Sequence, residues 1–314
     1  MGIISFLKLV EIQTKVASVI PYIVGTAFAL YKFDNFNTKN AILLFLSMII
    51  FDMTVTAINN YVDYIKAIKK EGFGYEEHNA ITKYGLKPKT VLGIIIGMLI
   101  LSASLGIILF LNTNIIILLV GLVCFTIGIF YSFGPIPISR TPFGEIFSGV
   151  TMGFFITFLA VYIHIFDKEI LNICILEGNL KLIINLKVIM SIFIISIPLI
   201  VGIANIMLAN NICDMEDDFI NRRFTLPIYI GKENALTIFK YLYYIAFVGI
   251  IIGVILKVLP IISLLVLLVF IPINKNIKLF YTVQSKKDTF VLAVKNFVLL
   301  NVTYIFTILL AILF

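Results

Sequence analysis

The sequence is poor in cysteine and in charged residues. Its three cysteines, Cys124, Cys174 and Cys213, lie far apart and form no Cys-x-x-Cys pair. This spacing indicates neither a disulfide framework nor a zinc site. Charged residues make up 13% of the chain, whereas a soluble domain contains roughly 25%. The composition therefore excludes a soluble globular protein.

Apolar residues dominate instead. They make up 61% of the 314 residues, and the mean hydropathy is +1.10. Apolar runs of about 20 residues recur, each long enough to cross a bilayer as a helix. No short apolar segment with a small-residue cleavage site opens the chain, so we expect no cleaved signal peptide. We predict an all-α polytopic membrane protein with a single domain over 1–314 and nine spans, at about 16–33, 41–65, 90–111, 114–132, 143–166, 187–211, 236–256, 259–273 and 291–313. The eighth is short, which predicts a tilted or partly re-entrant segment.

The distribution of basic residues predicts the orientation. With the N-terminus inside, 18 of the 24 Lys and Arg residues lie on the cytoplasmic side, where membrane proteins carry an excess of them. We therefore predict a plasma-membrane protein with a cytoplasmic N-terminus and an external C-terminus. Two long polar loops, about 66–89 and 212–235, would face the cytoplasm. The net charge of +7 reflects this topology and anionic partners at one face, and no segment resembles a nucleic-acid-binding module.

One short pattern occurs twice. It is Asn-Asn-x-x-Asp, at Asn59, Asn60 and Asp63 and again, 151 residues later, at Asn210, Asn211 and Asp214. Each copy sits at the predicted cytoplasmic end of a long apolar run and leads into one of the two polar loops. Another acidic residue, Asp218, follows the second copy, where the first copy has Ala67. The fixed offset hints at an internal duplication.

The carboxylates of this pattern predict a metal site. Asp214 and Asp218 are four residues apart, so on a helix they share one face. They and Asp63 lie at or beyond helix C-termini, where the helix dipole disfavours negative charge. Such carboxylates need a compensating cation. Oxygen ligands from Asp and Asn suit Mg²⁺, which proteins commonly hold with carboxylates and substrate phosphates.

Basic residues beside both copies predict that the metal is bound to a diphosphate. Lys66 follows the first copy, and Arg222 and Arg223 follow the second; arginine is well shaped to clamp phosphate oxygens. Asp and Asn are also ordinary residues at the ends of membrane helices, and the nearby cations would then reflect topology alone. Either copy by itself favours that plain interpretation, whereas both copies on one face favour a metal–diphosphate site.

Asp52 stands apart from this pattern. It lies about two helical turns deeper in the membrane than Asn59, with Thr56 between them on a similar face. An ionisable group at that depth usually faces a cavity or the interior of the bundle. Two interpretations stay open: contact with a polar substrate, or a hydrogen-bonded structural role.

Four stretches, spread over most of the chain, carry a resemblance to a known family. They are Thr14 with Pro21 to Ala27, the first Asn-Asn-x-x-Asp copy with Lys66, the segment Tyr131 to Pro137 with Gly144 to Phe147, and the run from Asn210 to Asp218 with Arg223, Thr225, Leu226 and Gly231. In this order they resemble the UbiA-type intramembrane prenyltransferases. The similarity is greatest to the MenA-like branch, the 1,4-dihydroxy-2-naphthoate polyprenyltransferases of menaquinone synthesis.

The resemblance implies a ring of nine helices around a cavity that opens sideways to lipid. It also implies Mg²⁺-dependent transfer of a polyprenyl group from prenyl diphosphate to an aromatic acceptor. Asp63, Asp214, Asp218 and Asn59 would hold the metal, and Tyr131 would either stabilise the allylic cation or only pack against the Gly-Pro turn. The candidate substrate-binding residues are Asn59, Asn60, Lys66, Asn210, Asn211, Arg222, Arg223 and Asp52.

The chain departs from the family pattern at three positions. Asn60 stands where the first motif usually has Asp, and Ala67 stands near the place of a further Asp. Glu11 occupies a position where many MenA-like proteins carry a basic residue. These departures predict fewer carboxylates at the first metal, with Glu76 or Glu77 as substitutes.

Other functions remain open on sequence grounds. The acceptor could be another quinone precursor, a haem, a tocopherol-like ring or a glycerol phosphate lipid. The chain could also bind prenyl diphosphate without turnover, or transport an anionic lipid or metabolite. Transporters with repeated polar motifs usually bind near the bilayer midplane, whereas these motifs cluster at the cytoplasmic mouth, which favours the enzyme.

Overall fold

The computed structural model describes residues 1–66, 79–168, 170–176 and 179–313. Within these ranges, nine helices are long and apolar enough to cross a membrane, which confirms the predicted all-α polytopic class. In chain order, the first to ninth spans are Ile12–Phe33, Thr38–Lys66, Pro88–Leu111, Ile115–Ser132, Gly144–Lys168, Leu186–Cys213, Lys232–Ile255, Ile261–Thr282 and Phe290–Leu313.

The eighth span differs most from its predicted bounds. It runs to Thr282 rather than ending near 273, and its first nine residues form a 3₁₀ helix, Ile261–Val269, before the α-helix Phe270–Thr282. The sequence becomes polar after residue 273, which is why the apolar run ends there. One face of the helix nevertheless remains buried beyond this point, through Ile273, Ile277 and Phe280. This amphipathic pattern is typical of a helix that packs against a bundle, and it explains why the span continues to Thr282.

Short elements connect the spans. Helical turns lie at Ile3–Leu9, Ala80–Lys83, Ile138–Arg140, Met215–Ile220 and Leu226–Ile230. Between the fifth and sixth spans, β1 (Leu171–Leu176) pairs antiparallel with β2 (Asn179–Ile184), with Leu171 opposite Ile184. This hairpin was not predicted, because its two apolar segments are too short to span a bilayer. Its isoleucine-rich segments fit strand geometry.

Two glycines set the contact between the fifth and sixth spans. A Cβ on Gly149 would stand 2.6 Å from the carbonyl oxygen of Ile200, and one on Gly153 would stand 2.5 Å from the Ile200 nitrogen. Small residues at this spacing let membrane helices approach closely. The backbone between them forms a π-helical turn, Gly149–Phe155, an irregularity that is common at functional sites.

A cavity of about 1250 Å³ lies inside the bundle. The first six spans and the ninth span line it, and the seventh and eighth contribute no lining residue in the described part of the chain. Both copies of the Asn-Asn-x-x-Asp pattern reach this cavity, the first from the second span and the second from the end of the sixth. The predicted sideways opening to lipid stays a prediction.

Candidate active site

Three carboxylates line one part of the cavity, and each is paired with a cation that also lines it. The pairs are Asp63 with Arg140 (Oδ1 to Nη2, 3.8 Å), Asp218 with Arg223 (Oδ1 to Nε, 3.2 Å), and Asp214 with Lys286. The side chains involved are partly exposed, except for that of Asp218. The structure thus places the three carboxylates among the predicted metal ligands in one cavity, each paired with a cation.

The second copy sits where one helix ends and another begins. The sixth span ends at Cys213, and the short helix Met215–Ile220 follows, with Asp214 capping both. The backbone amide of Asp218 still donates to the Asp214 carbonyl, 2.8 Å away, so the two aspartates keep their predicted i,i+4 relation. Within the second copy, the predicted penalty from the helix dipole applies to Asp214 and not to Asp218, because Asp218 lies in the first turn of the next helix, where the dipole favours a negative charge.

Asp218 is the most buried of the three carboxylates, with 4% of its surface exposed. Burial raises its pKa to about 6, and the Arg223 guanidinium opposes the rise. The Thr225 hydroxyl also donates to Oδ2 at 3.3 Å. The chain therefore surrounds this carboxylate with a cation and a donor, as a charged group removed from water requires.

The first asparagine of each copy faces the cavity. The Oδ1 atom of Asn59 accepts a hydrogen bond from Ser132 at 3.0 Å. Asn210 donates from Nδ2 to the Asp214 carboxylate at 3.2 Å, and its Oδ1 accepts from Lys286. Both asparagines line the cavity beside their own aspartate.

The second asparagine of each copy binds a glutamate. Asn60 is 5% exposed and donates from Nδ2 to Glu11 Oε1 at 3.3 Å and to the Leu9 carbonyl at 3.1 Å. Asn211 is 2% exposed and donates to Glu145 Oε1 at 2.8 Å. Two departures from the family pattern, Asn60 and Glu11, are thus in direct contact. Asn60 also lines the cavity, whereas Asn211 does not, and the assignment of both asparagines to substrate binding stays a prediction.

Two of the three basic residues predicted to bind the diphosphate line the cavity, and the third does not. Lys66 lines the cavity and donates to the Gly134 carbonyl at 3.3 Å. Arg223 lines it as well, but Arg222 is exposed and contributes nothing to the lining. The backbone at Arg222 is left-handed, with φ of 54°. At this turn, the side chain of Arg223 lines the cavity and that of Arg222 does not. Glu76 and Glu77, the predicted substitute ligands, lie outside the described residues.

Tyr131 closes the fourth span at the cavity wall. Its hydroxyl is buried and lies 3.7 Å from the place where a Cβ on Gly144 would stand. The side chain therefore both reaches the cavity and packs against the segment after the Gly-Pro turn. The two predicted roles of Tyr131 are compatible with this position.

Sequence reasoning missed two cations of the site. Arg140 and Lys286 entered only as indicators of orientation, because each lies in a short connection between spans without a motif of its own. The signal was indirect: buried carboxylates need nearby cations, but the sequence does not show which connection supplies them. Arg140 comes from the turn Ile138–Arg140, and Lys286 from the connection between the last two spans.

Asp52 lines the deeper cavity and pairs with Lys15, with 2.7 Å between Oδ1 and Nζ. Asp52 is thus hydrogen-bonded, and since it also lines the cavity, its contact with a polar substrate stays a prediction. Lys15 is one of the 18 basic residues assigned to the cytoplasmic side, and it is buried, with 4% of its surface exposed. The cause is the partner: a lysine opposite a lone intramembrane aspartate gains a salt bridge that water does not screen.

The part of the cavity lined by the three carboxylates and their cations is called the mouth here, and the oxygen atoms that it offers fit Mg²⁺. Asp63, Asp214, Asp218 and Asn59 offer only carboxylate and amide oxygens, the ligands that this ion prefers. Among the described residues, no three His, Cys, Asp or Glu side chains already form a metal cluster. The carboxylates are separated by their cations instead, so a metal would replace the Arg or Lys partners of these oxygens.

Comparisons with known proteins identify relatives of this chain. A model of the UbiA prenyltransferase family matches residues 18–312. The chain is 31% identical over 251 residues to the 1,4-dihydroxy-2-naphthoate octaprenyltransferase of Bacillus subtilis (strain 168), covering 78% of this chain and 71% of that protein.

Solved structures share the fold. A UbiA homologue from Archaeoglobus fulgidus, bound to DMAPP and Mg²⁺, superimposes with a TM-score of 0.67 at 17% identity, covering 98% of this chain and 99% of that one. A ligand-free UbiA homologue from Aeropyrum pernix K1 gives a TM-score of 0.68 at 16% identity, covering 94% and 98%. Together with the match along nearly the whole sequence, these likenesses confirm the predicted family: the chain is an integral membrane protein that belongs to the UbiA prenyltransferase family.

Proposed function

We propose that this protein transfers a polyprenyl group from prenyl diphosphate to an aromatic acceptor, and that the acceptor is 1,4-dihydroxy-2-naphthoate. The curated relative from Bacillus subtilis, at 31% identity, supports this acceptor. Prenylation of this ring places the protein in menaquinone synthesis. The domain 1–314 acts as one unit in the plasma membrane, with its N-terminus and active site facing the cytoplasm, as the excess of basic residues on that side supports.

The observation that carries the proposal is a polar mouth joined to an apolar cavity. Three carboxylates and three cations surround the mouth. Beyond them the wall is formed by residues such as Leu44, Met48, Phe51 and Phe125. A molecule with an anionic head and a long hydrocarbon tail fits both parts at once.

Two sets of residues at the mouth would neutralise the anionic head group, one through the metal and one directly. Asp63, Asp214, Asp218 and Asn59 would hold Mg²⁺, and the metal supplies neutralisation of the leaving diphosphate. When the metal takes the place of the cations beside the carboxylates, the three ion pairs are broken. The phosphate oxygens are then bound by Arg140, Arg223 and Lys286. Cations fixed at this position stabilise the charge that develops as the diphosphate leaves.

The deeper wall protects the reactive group. The rings of Phe51 and Phe125 stack with their centroids 3.9 Å apart and line the cavity. Their faces favour a positive charge, and together with the aliphatic wall they keep water away from an allylic cation. Exclusion of water leaves the electron-rich carbon of the acceptor as the nucleophile.

A direct assay tests this function. The detergent-purified protein is incubated with farnesyl diphosphate, 1,4-dihydroxy-2-naphthoate and Mg²⁺, and prenylated naphthoquinol and released diphosphate are measured. Both products are expected, and chelation of the metal should stop the reaction until Mg²⁺ is restored. Full activity in chelator contradicts the role of the metal.

The same assay separates the rival functions. Diphosphate release without a prenylated naphthoquinol points to another acceptor, such as a different quinone precursor, a haem or a lipid. Binding of prenyl diphosphate without release points to a non-catalytic binder. Uptake of a prenyl diphosphate into sealed vesicles points to a transporter.

A further inference from the structure

A salt bridge lies deep in the cavity wall, apart from the three pairs at the mouth. Lys15, in the first span, contacts Asp52, in the second span, and Lys15 is 4% exposed. Asp52 precedes Asn59 by seven residues and Asp63 by eleven. At the rise of an α-helix it lies about 10 Å and 16 Å farther along the span than these residues. The pair therefore belongs to the part of the cavity beyond the diphosphate-binding mouth.

Stability alone does not account for this pair. Two charges removed from water lose much of their hydration energy, and their mutual attraction often only restores it. Two apolar side chains of similar size would hold the first two spans together equally well or better. Ionisable residues at such depth usually face the interior and serve a substrate. A binding role is therefore the stronger explanation.

The hydrogen bonds show which partner can contact a ligand. The Lys15 ammonium group has three hydrogens, and it has three acceptors: Asp52 Oδ1 at 2.7 Å, the Asp52 carbonyl at 3.2 Å and Thr56 Oγ1 at 2.6 Å. No hydrogen of Lys15 is left for a ligand, and Lys15 is not among the residues that line the cavity.

Asp52 has unused capacity. Its Oδ1 accepts from Lys15, and its Oδ2 accepts from the Ser18 hydroxyl at 2.7 Å. Each carboxylate oxygen has two lone pairs, so one on each remains. The side chain is 16% exposed, and the residue lines the cavity. Only a group that donates a hydrogen bond can use these positions, and a carboxylate or an ether oxygen there would be repelled.

We propose that Asp52 is a binding site for a phenolic hydroxyl of the acceptor, with Lys15 and Ser18 as positioning residues. The site rests on the proposed function and specifies it further: the cavity selects a hydroxylated ring and orients its hydroxyl away from the mouth. A hydrogen bond from the hydroxyl to a carboxylate also leaves more electron density on the ring, which favours attack on the prenyl cation.

Acceptor binding in the absence of Mg²⁺ and prenyl diphosphate tests the site. Titration calorimetry compares 1,4-dihydroxy-2-naphthoate with its dimethyl ether on the wild-type protein. The hydroxylated compound should bind about tenfold or more tightly, because a site built to accept a hydrogen bond rejects an analogue that cannot donate one. Equal affinity of the two compounds overturns the proposal.

Two double variants remove the carboxylate from position 52 without leaving a buried charge unpaired. They are K15M/D52L, which replaces the pair with apolar side chains, and K15D/D52K, which reverses it. Both should lose the preference for the hydroxylated compound, while binding of the dimethyl ether stays within about twofold of wild type. K240M, which removes a lysine from the seventh span outside the cavity, is the matched control and should retain the preference.

The outcomes separate the two proposals. A wild-type protein that transfers prenyl groups, together with a folded double variant that keeps the preference, refutes the Asp52 site alone. A wild-type protein that transfers nothing to the naphthoate, although the binding preference depends on Asp52, refutes the proposed function alone. Thermal unfolding and size-exclusion profiles identify the variant that is folded, and one folded variant is sufficient.

Discussion

The two copies of the Asn-Asn-x-x-Asp pattern occupy matching roles although they share little other sequence. In each, the first asparagine faces the cavity and the second donates to a glutamate from another part of the chain. In each, the aspartate pairs with a cation from a connection between spans, Arg140 for the first copy and Lys286 for the second. The hint of duplication in the sequence therefore corresponds to equivalent contacts.

The copies differ in how much charge they concentrate. The second adds a further carboxylate, Asp218, which is held by Arg223 and Thr225. The equivalent position in the first copy is Ala67, outside the described residues. Contacts are also closer in the second copy: 2.8 Å from Asn211 to its glutamate, against 3.3 Å from Asn60. The second copy is thus the more highly charged half of the site and the more rigidly fastened one.

The largest expected effect concerns the aspartate that both copies share. Asp63→Ala and Asp214→Ala should each lower kcat/KM by about 100-fold or more, because each removes a carboxylate ligand of the Mg²⁺ that would neutralise the leaving diphosphate. Steady-state prenyl transfer measures the loss. If the copies are equivalent, the two losses agree within about tenfold.

The control for these variants is Asp167→Asn, which changes an exposed carboxylate in the fifth span far along the chain from either copy. It should retain wild-type turnover. Wild-type turnover in Asp63→Ala or Asp214→Ala would instead remove that aspartate from the metal site.

The next effect distinguishes the two Asn–Glu contacts. Asn211→Leu leaves the Glu145 carboxyl buried at 3% exposure without its donor, and the free energy of unfolding should fall by about 2 kcal/mol. Asn60→Leu should lower it by about 1 kcal/mol, because the contact with Glu11 is longer and that glutamate is half-buried. Thermal unfolding in detergent compares them. Equal losses would mean that the second copy is not held more firmly.

A smaller effect concerns the cations that the motifs did not reveal. Lys286→Gln and Arg140→Gln should each raise the KM for prenyl diphosphate by about tenfold, since each removes one charge-assisted hydrogen bond, and the KM for the acceptor should change little. Initial rates at varied concentrations of each substrate separate the two constants. A change confined to the acceptor would contradict a phosphate-binding role.

These examples show what the sequence can predict. The apolar runs determined nine spans, and the repeated pattern placed Asp63, Asp214 and Asp218 at one cavity, because both signals are local in the chain. Lys15, Arg140, Lys286 and Glu145 were not assigned, since each acquires its role from a partner 37 to 77 residues away. Packing decides such pairs, and a single sequence carries only the requirement that buried charges be matched.

The smallest expected effect separates the neighbouring arginines after the second copy. Arg223 pairs with Asp218 at the cavity, whereas Arg222 is exposed in a left-handed turn and does not line it. Arg222→Gln should therefore change kcat/KM by less than about twofold, since water and salt screen an exposed charge that does not line the cavity. Lys66→Gln, at the basic residue after the first copy, should have the larger effect because Lys66 lines the cavity. If Arg222→Gln were as harmful as Arg223→Gln, the turn around these residues would have to rearrange when substrate binds, and the second copy would be the mobile half of the site rather than the rigid one.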